Sequence, residues 1–176
     1  IGEEAVKKLR GMFGFLIWDK QEKKLFGARD PFGIKPFFYA EQDGVTYFAS
    51  EKKSILQAME GSLDQESLQQ YLSFQYVPDP KSMTAEILKL APGHYFTKKL
   101  NEEMDIQCYW KPTFRPMNLT ESQAIEEIRN VLTDSVNIHM RSDVPVGSFL
   151  SGGIDSSIIV SLAKEVNPKL KTFSVG

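Results

Sequence analysis

The chain has 176 residues, 41% of them apolar, with 21 Lys and Arg set against 23 Asp and Glu for a formal charge of −2. It is long enough to bury a core as one large domain or two small ones, and its charge gives no case for gripping a nucleic-acid backbone, which takes clustered Lys and Arg. No apolar run approaches the roughly 18–20 residues of a membrane span, and the amino end, IGEEAVKKLRG, has no signal-peptide pattern.

In chain order, the first fifty residues read as an antiparallel meander. Met12–Trp18 (MFGFLIW) is almost unbroken apolar sequence, as expected of a strand buried on both faces. A charged turn, Lys20–Lys24, leads to a second strand at Leu25–Arg29. Asp30-Pro31-Phe32-Gly33 is turn chemistry, Pro setting one φ and Gly accepting a positive one. Strands at Pro36–Ala40 and Thr46–Ser50 meet across Asp43-Gly44, a strong hairpin signal. A short helix follows at Glu51–Met59, ended by Gly61. A longer one at Asp64–Phe74 is capped by Ser62 or Asp64, with Leu68, Tyr71 and Leu72 along one side.

Tyr76–Ser82 (YVPDPKS) is broken by proline into a loop, Ala91-Pro92-Gly93 is a turn, and His94–Thr97 pairs with Asp105–Trp110 in a last hairpin. Cys108, the only cysteine, makes no internal disulfide and suggests no metal cage, so a reducing cytoplasm is the default setting. The sequon Asn118-Leu119-Thr120 therefore carries no meaning as a glycan site. Lys111–Asn118 (KPTFRPMN) has two prolines and no periodicity, which marks a linker and places a domain boundary near residue 113.

Beyond the linker the order becomes helix, strand, helix, strand. Thr120-x-x-Gln123 is a capping box, and Ala124, Ile125, Ile128, Val131, Leu132 and Ser135 recur at helical spacing. Val144–Leu150 reads as a strand, Ser156–Val166 as a helix and Lys171–Val175 as a second strand, an alternation that implies a parallel α/β sheet.

Between the first of these strands and its helix lies FLSGGIDSS (149–157). Neither the Walker pattern with its lysine nor G-x-G-x-x-G is present. Gly152 and Gly153 let the backbone approach an anion and turn N–H groups inward. Ser151, Ser156 and Ser157 carry further donors, and the helix presents its positive end to the same point. Asp155 is a poor neighbour for bare phosphate and a good one for a Mg2+ ion shared with phosphate oxygens. A plain strand-to-helix connection, capped by Asp155 or a serine, is the competing reading.

That segment resembles the PP-loop of the ATP pyrophosphatases, which split ATP between its α and β phosphates, hold pyrophosphate in the loop and adenylate a substrate. RGMFGFLIWD (10–19), GARDPFGIKPFFYA (27–40), FASEKKSI (48–55), APGHYF (91–96) and SDVPVGSFLSGGIDSS (142–157) are together similar to the glutamine-hydrolysing asparagine synthetase B family, over essentially the whole chain and in order. The resemblance implies an α+β fold for residues 1–113, the back part of an antiparallel glutaminase domain of the N-terminal-nucleophile type. It implies for 114–176 the start of an α/β parallel-sheet PP-loop synthetase domain. ATP and Mg2+ are the implied cofactors, with aspartate and glutamine as small-molecule substrates, and a cytoplasmic setting and a homodimer are the expectations for the parent protein.

By the same resemblance Ser151, Gly152, Gly153, Ser156 and Ser157 hold pyrophosphate, Asp155 holds Mg2+, and the backbone at Leu150 and Val175 contacts adenine and ribose. Core packing is an equal explanation of the last two side chains, although ligands of open α/β sheets do bind beyond the carboxyl ends of strands. The family's cysteine nucleophile and its Asn-Gly-Glu and Gly-Ser-Asp glutamine segments have no match here. The chain is thus expected to be an internal fragment that catalyses neither half-reaction.

Cys108 is expected to be an unreactive strand residue, kept so by burial. Arg29 and Asp30 read as a structural turn and ion pair, and Glu51 as a helix-start charge. His94 opens a strand and His139 ends a helix, where a cation is favourable without any chemistry.

Overall fold

The structure, a computed structural model, describes residues 3–175, in which the hairpin signals are realised first. Strands β1 (Gly14–Asp19) and β2 (Lys24–Arg29) pair antiparallel, and Asp19 Oδ1 closes their turn by accepting from the N–H groups of Gln21 at 2.8 Å and Glu22 at 3.0 Å. β3 (Phe38–Gln42) and β4 (Val45–Ala49) meet across Asp43 and Gly44, whose φ angles of 52° and 75° are the two positive values a twisted two-residue hairpin needs.

The expected meander is not one sheet. β2 continues through β6 (His94–Lys99) to β7 (Asp105–Cys108), giving the order β1-β2-β6-β7, whereas β3 joins β4 and the short β5 (Leu88–Lys89) in a second sheet, β4-β3-β5. The chain changes sheets at the Asp30–Phe37 turn. Side chains alternate along each strand, so β2 and β6 send Phe26, Ala28 and Tyr95 to one core and Leu25 and Phe96 to another. The second core lies between the sheets. Phe96, fully buried, stacks on Phe48 of β4 with centroids 5.2 Å apart and meets Phe37 edge-on at 5.9 Å.

β1 departs from the expectation of burial on both faces. Phe15 and Ile17 pack on the first core, but Leu16 and Trp18 on the opposite face are exposed. β1 is an edge strand of its sheet, and the cover that the β3–β4 sheet gives Leu25 and Phe96 does not reach it. Cys108 departs as well: it lies exposed on the outer strand β7, its thiol donating to the Trp110 carbonyl at 3.2 Å. The burial argument for its inertness therefore fails.

Helix α1 (Lys52–Ile55) is a single turn that drops Ile55 into a third core with Ala40, Met59 and Ile87. α2 (Gln65–Phe74) is capped by Asp64, whose carboxylate accepts from the Ser67 N–H and hydroxyl; Tyr71 and Leu72 point outward. The chain divides into two compact units after Thr113.

In the second unit Thr120 and Gln123 close the capping box of α3 (Glu121–His139). α3 packs against α4 (Ile154–Val166), with Val136 and Ala163 buried, while Ile125, Ile128 and Val131 of the predicted apolar series are exposed. β8 (Gly147–Phe149) and β9 (Lys171–Phe173) pair parallel in register Gly147↔Lys171 to Phe149↔Phe173, each shorter than predicted. No helix among the described residues is long and apolar enough to cross a membrane.

Candidate functional site

The sequence Ser-Gly-Gly-x-Asp-Ser-Ser lies where β8 ends and α4 begins. Gly152 takes φ +82°, a left-handed turn that costs an L-residue about 1–2 kcal/mol, and a side chain added there would meet nothing within 4 Å. The space over the turn is open. Gly153 is the residue before α4 and has no side chain to cap it, so the helix-start N–H groups of Ile154, Asp155 and Ser156 have no partner among the described residues. Unsatisfied N–H groups at the positive end of a helix are what an anion requires.

Ser151 and Ser156 bring their hydroxyls to 3.1 Å of each other. Ser156 also donates to the Gly153 carbonyl at 3.0 Å, and Ser157 to the same atom at 2.8 Å. Two of the serine donors expected to face phosphate, Ser156 and Ser157, are thus turned onto the loop's own carbonyl, and a χ1 rotation releases each of them. The helix begins two residues earlier than predicted, at Ile154. Asp155 therefore sits inside its first turn, exposed, where a carboxylate also suits the dipole.

Leu150 is half-buried, its N–H donating to the Phe173 carbonyl at 2.8 Å and its own carbonyl accepting the Ser174 hydroxyl at 2.7 Å. Val175 is 96% exposed. All eight predicted positions meet at the carboxyl ends of β8 and β9. Ser174 was not singled out from the sequence, where a serine in SVG carries no signal that its hydroxyl crosses to the neighbouring strand.

A metal at this loop has one protein carboxylate to draw on. Among the described residues no three His, Cys, Asp or Glu side chains gather to hold an ion. That donor set fits Mg2+, which keeps much of its water and takes one or two carboxylates together with phosphate oxygens.

The Arg29-Asp30 turn is a different kind of site. The Arg29 guanidinium donates to three carbonyls, those of Lys35 (2.8 Å), Leu90 (2.7 Å) and Gly33 (2.7 Å), and its charge partner is Asp79 at 3.6 Å rather than Asp30. Asp30, 1% exposed, accepts from the N–H groups of Phe32, Ile34 and Lys35. Burial by itself raises its carboxyl pKa, but the backbone N–H bonds from Lys35, Ile34 and Phe32 outweigh it and hold the group below the ordinary range. Close by, burial above all raises the Tyr109 phenol to about 12 while its hydroxyl donates to the Arg29 carbonyl at 2.7 Å. These groups are spent on one another. Likewise His94 Nδ1 rests 2.8 Å from the Pro92 carbonyl and His139 Nδ1 2.8 Å from the Ser135 carbonyl.

The chain matches two families in succession: the glutamine amidotransferase domain over residues 1–110 and asparagine synthase over residues 127–176. It belongs to the glutamine amidotransferase domain family. It is 55% identical over 99% of its length to asparagine synthetase [glutamine-hydrolyzing] 1 of Bacillus subtilis, and 43% identical over 99% to a putative asparagine synthetase [glutamine-hydrolyzing] of Mycobacterium bovis. It is also 32% identical, over 94% of its length, to amidase chry2 of Gibberella zeae. The chain spans 28%, 28% and 25% of those three proteins.

Proposed function

We propose that the chain is part of a glutamine-hydrolysing asparagine synthetase, a carbon–nitrogen ligase that turns ATP, aspartate, glutamine and water into asparagine, AMP, pyrophosphate and glutamate. The observation that carries this reading is the succession of two families on one chain, an amidotransferase match followed by an asparagine synthase match that includes the loop. Residues 1–113 are assigned to the C-terminal part of the glutaminase domain and 114–176 to the N-terminal part of the synthetase domain. The setting is cytoplasmic, and the assembly a homodimer.

A carboxylate is a poor electrophile, and adenylation supplies the leaving group it lacks. In this reading the aspartate β-carboxylate attacks the α-phosphorus of ATP, the bond to the β-phosphate oxygen breaks, and ammonia from glutamine then displaces AMP. The N–H groups of Ile154 to Ser156 and the hydroxyls of Ser151, Ser156 and Ser157 hold the departing pyrophosphate, while Gly152 and Gly153 keep the approach clear. Asp155 holds Mg2+, which supplies charge neutralisation on the phosphates. Leu150 and Val175 line the base and ribose end.

Incubating the full-length protein with ATP, aspartate and glutamine tests this directly. Asparagine, AMP and pyrophosphate are the expected products; formation of ADP overturns the loop assignment. In a second reading a protein of this architecture amidates another carboxylate, and substitution of other acids for aspartate in the same assay decides it.

A further inference from the structure

Beyond the loop itself, one side chain decides what the strand ends offer a ligand. The ladder between β8 and β9 continues one residue past the strands, through the Leu150 N–H to the Phe173 carbonyl. In a parallel ladder the residue that donates to one partner accepts from the residue two further along, so the next rung is Val175 N–H to Leu150 carbonyl. Among the described residues that rung is not formed. The Ser174 hydroxyl takes the Leu150 carbonyl instead, at 2.7 Å and across 24 positions of sequence. The sheet ends one rung early. Leu150 has both backbone groups engaged, while the N–H of Val175, 96% exposed, has no partner among the described residues.

The geometry points to Ser174 as a positioning residue: by covering the Leu150 carbonyl, its hydroxyl holds the Val175 amide open for a ring nitrogen of the purine base bound at the strand ends. This rests on the reading of the loop as an ATP site. An N–H and a carbonyl left facing each other at the end of a ladder pair when no competitor is present. Loss of the hydroxyl therefore closes the last rung and withdraws the donor from the ligand.

The test measures ATP–pyrophosphate exchange with aspartate on the full-length protein. Ser174→Ala is expected to raise the KM for ATP by about 10-fold, the worth of about one hydrogen bond, with kcat little changed. Ser174→Thr, which keeps the hydroxyl, is expected to restore it. A second readout uses ATP analogues in which each purine ring nitrogen in turn is replaced by CH. One analogue should be disfavoured by the wild type by about 10-fold and no longer disfavoured by Ser174→Ala. A merely structural serine lowers thermal stability or kcat and leaves that ratio where it was, an outcome that overturns the inference. Unchanged KM and ratio overturn it too. Absence of any exchange by the wild-type protein overturns the loop reading and this inference together, whereas exchange with identical ratios in both proteins overturns this inference alone.

Discussion

The Arg29–Lys35 turn and the Ser151–Ser157 loop are built from the same parts. Each follows a strand, each has a glycine at positive φ (Gly33 at 64°, Gly152 at 82°), and each carries an aspartate. They differ in where the polar groups go. In the first, three backbone N–H groups converge on Asp30 and three carbonyls on Arg29, and a side chain on Gly33 would lie 2.8 Å from Pro92 Cγ and 3.0 Å from Arg29 Cζ. In the second, the helix-start N–H groups have no partner among the described residues, Asp155 is exposed, and the space over Gly152 is open. A turn that has consumed its own donors supports a fold; one that keeps them in reserve can serve a ligand.

The contrast can be broken at four points. Arg29→Met should cost the most stability, about 3 kcal/mol, because it strands three carbonyls in a buried turn, while Asp79 keeps its ion pair with Lys89 at 2.6 Å. Chemical denaturation of the full-length protein checks it, and a loss below about 1 kcal/mol would show that water reaches the turn. Asp155→Ala should do the reverse: folding unchanged, ATP–pyrophosphate exchange reduced by about 100-fold. Retained exchange would remove Asp155 from the metal role.

Asp30→Asn comes third, at about 2 kcal/mol, since an amide nitrogen replaces an acceptor facing a backbone N–H. Its pH dependence has a definite sign. The folded carboxyl lies below its unfolded value of about 3.9, so its contribution is complete above that pH and is lost as pH falls through the folded value. The stability gap between wild type and Asp30→Asn should therefore narrow on acidification below about pH 4, as urea melts at stepped pH would show. The smallest effect separates the two glycines. Gly152→Ala should cost only the backbone strain of about 1–2 kcal/mol, whereas Gly33→Ala adds a clash to the same strain. Equal losses in thermal melts would refute the difference in packing.

Sequence alone determined the elements whose causes are local. The Asp43-Gly44 hairpin, the Thr120–Gln123 capping box, the Asp64 cap and the strand–glycine–helix order of the loop all depend on bonds between residues at most a few positions apart. Tertiary structure decided the rest, because it depends on partners distant in sequence. An apolar run such as MFGFLIW does not say whether one layer or two will cover it, and β1 turned out to lie at an edge. Arg29 beside Asp30 looks like a pair, but the guanidinium answers instead to Leu90, 61 residues away, and to Asp79. The loop's position could be read from its glycines. That its serines turn onto Gly153, and that Ser174 closes the ladder at Leu150, could not, since a hydroxyl takes whichever acceptor the fold brings near.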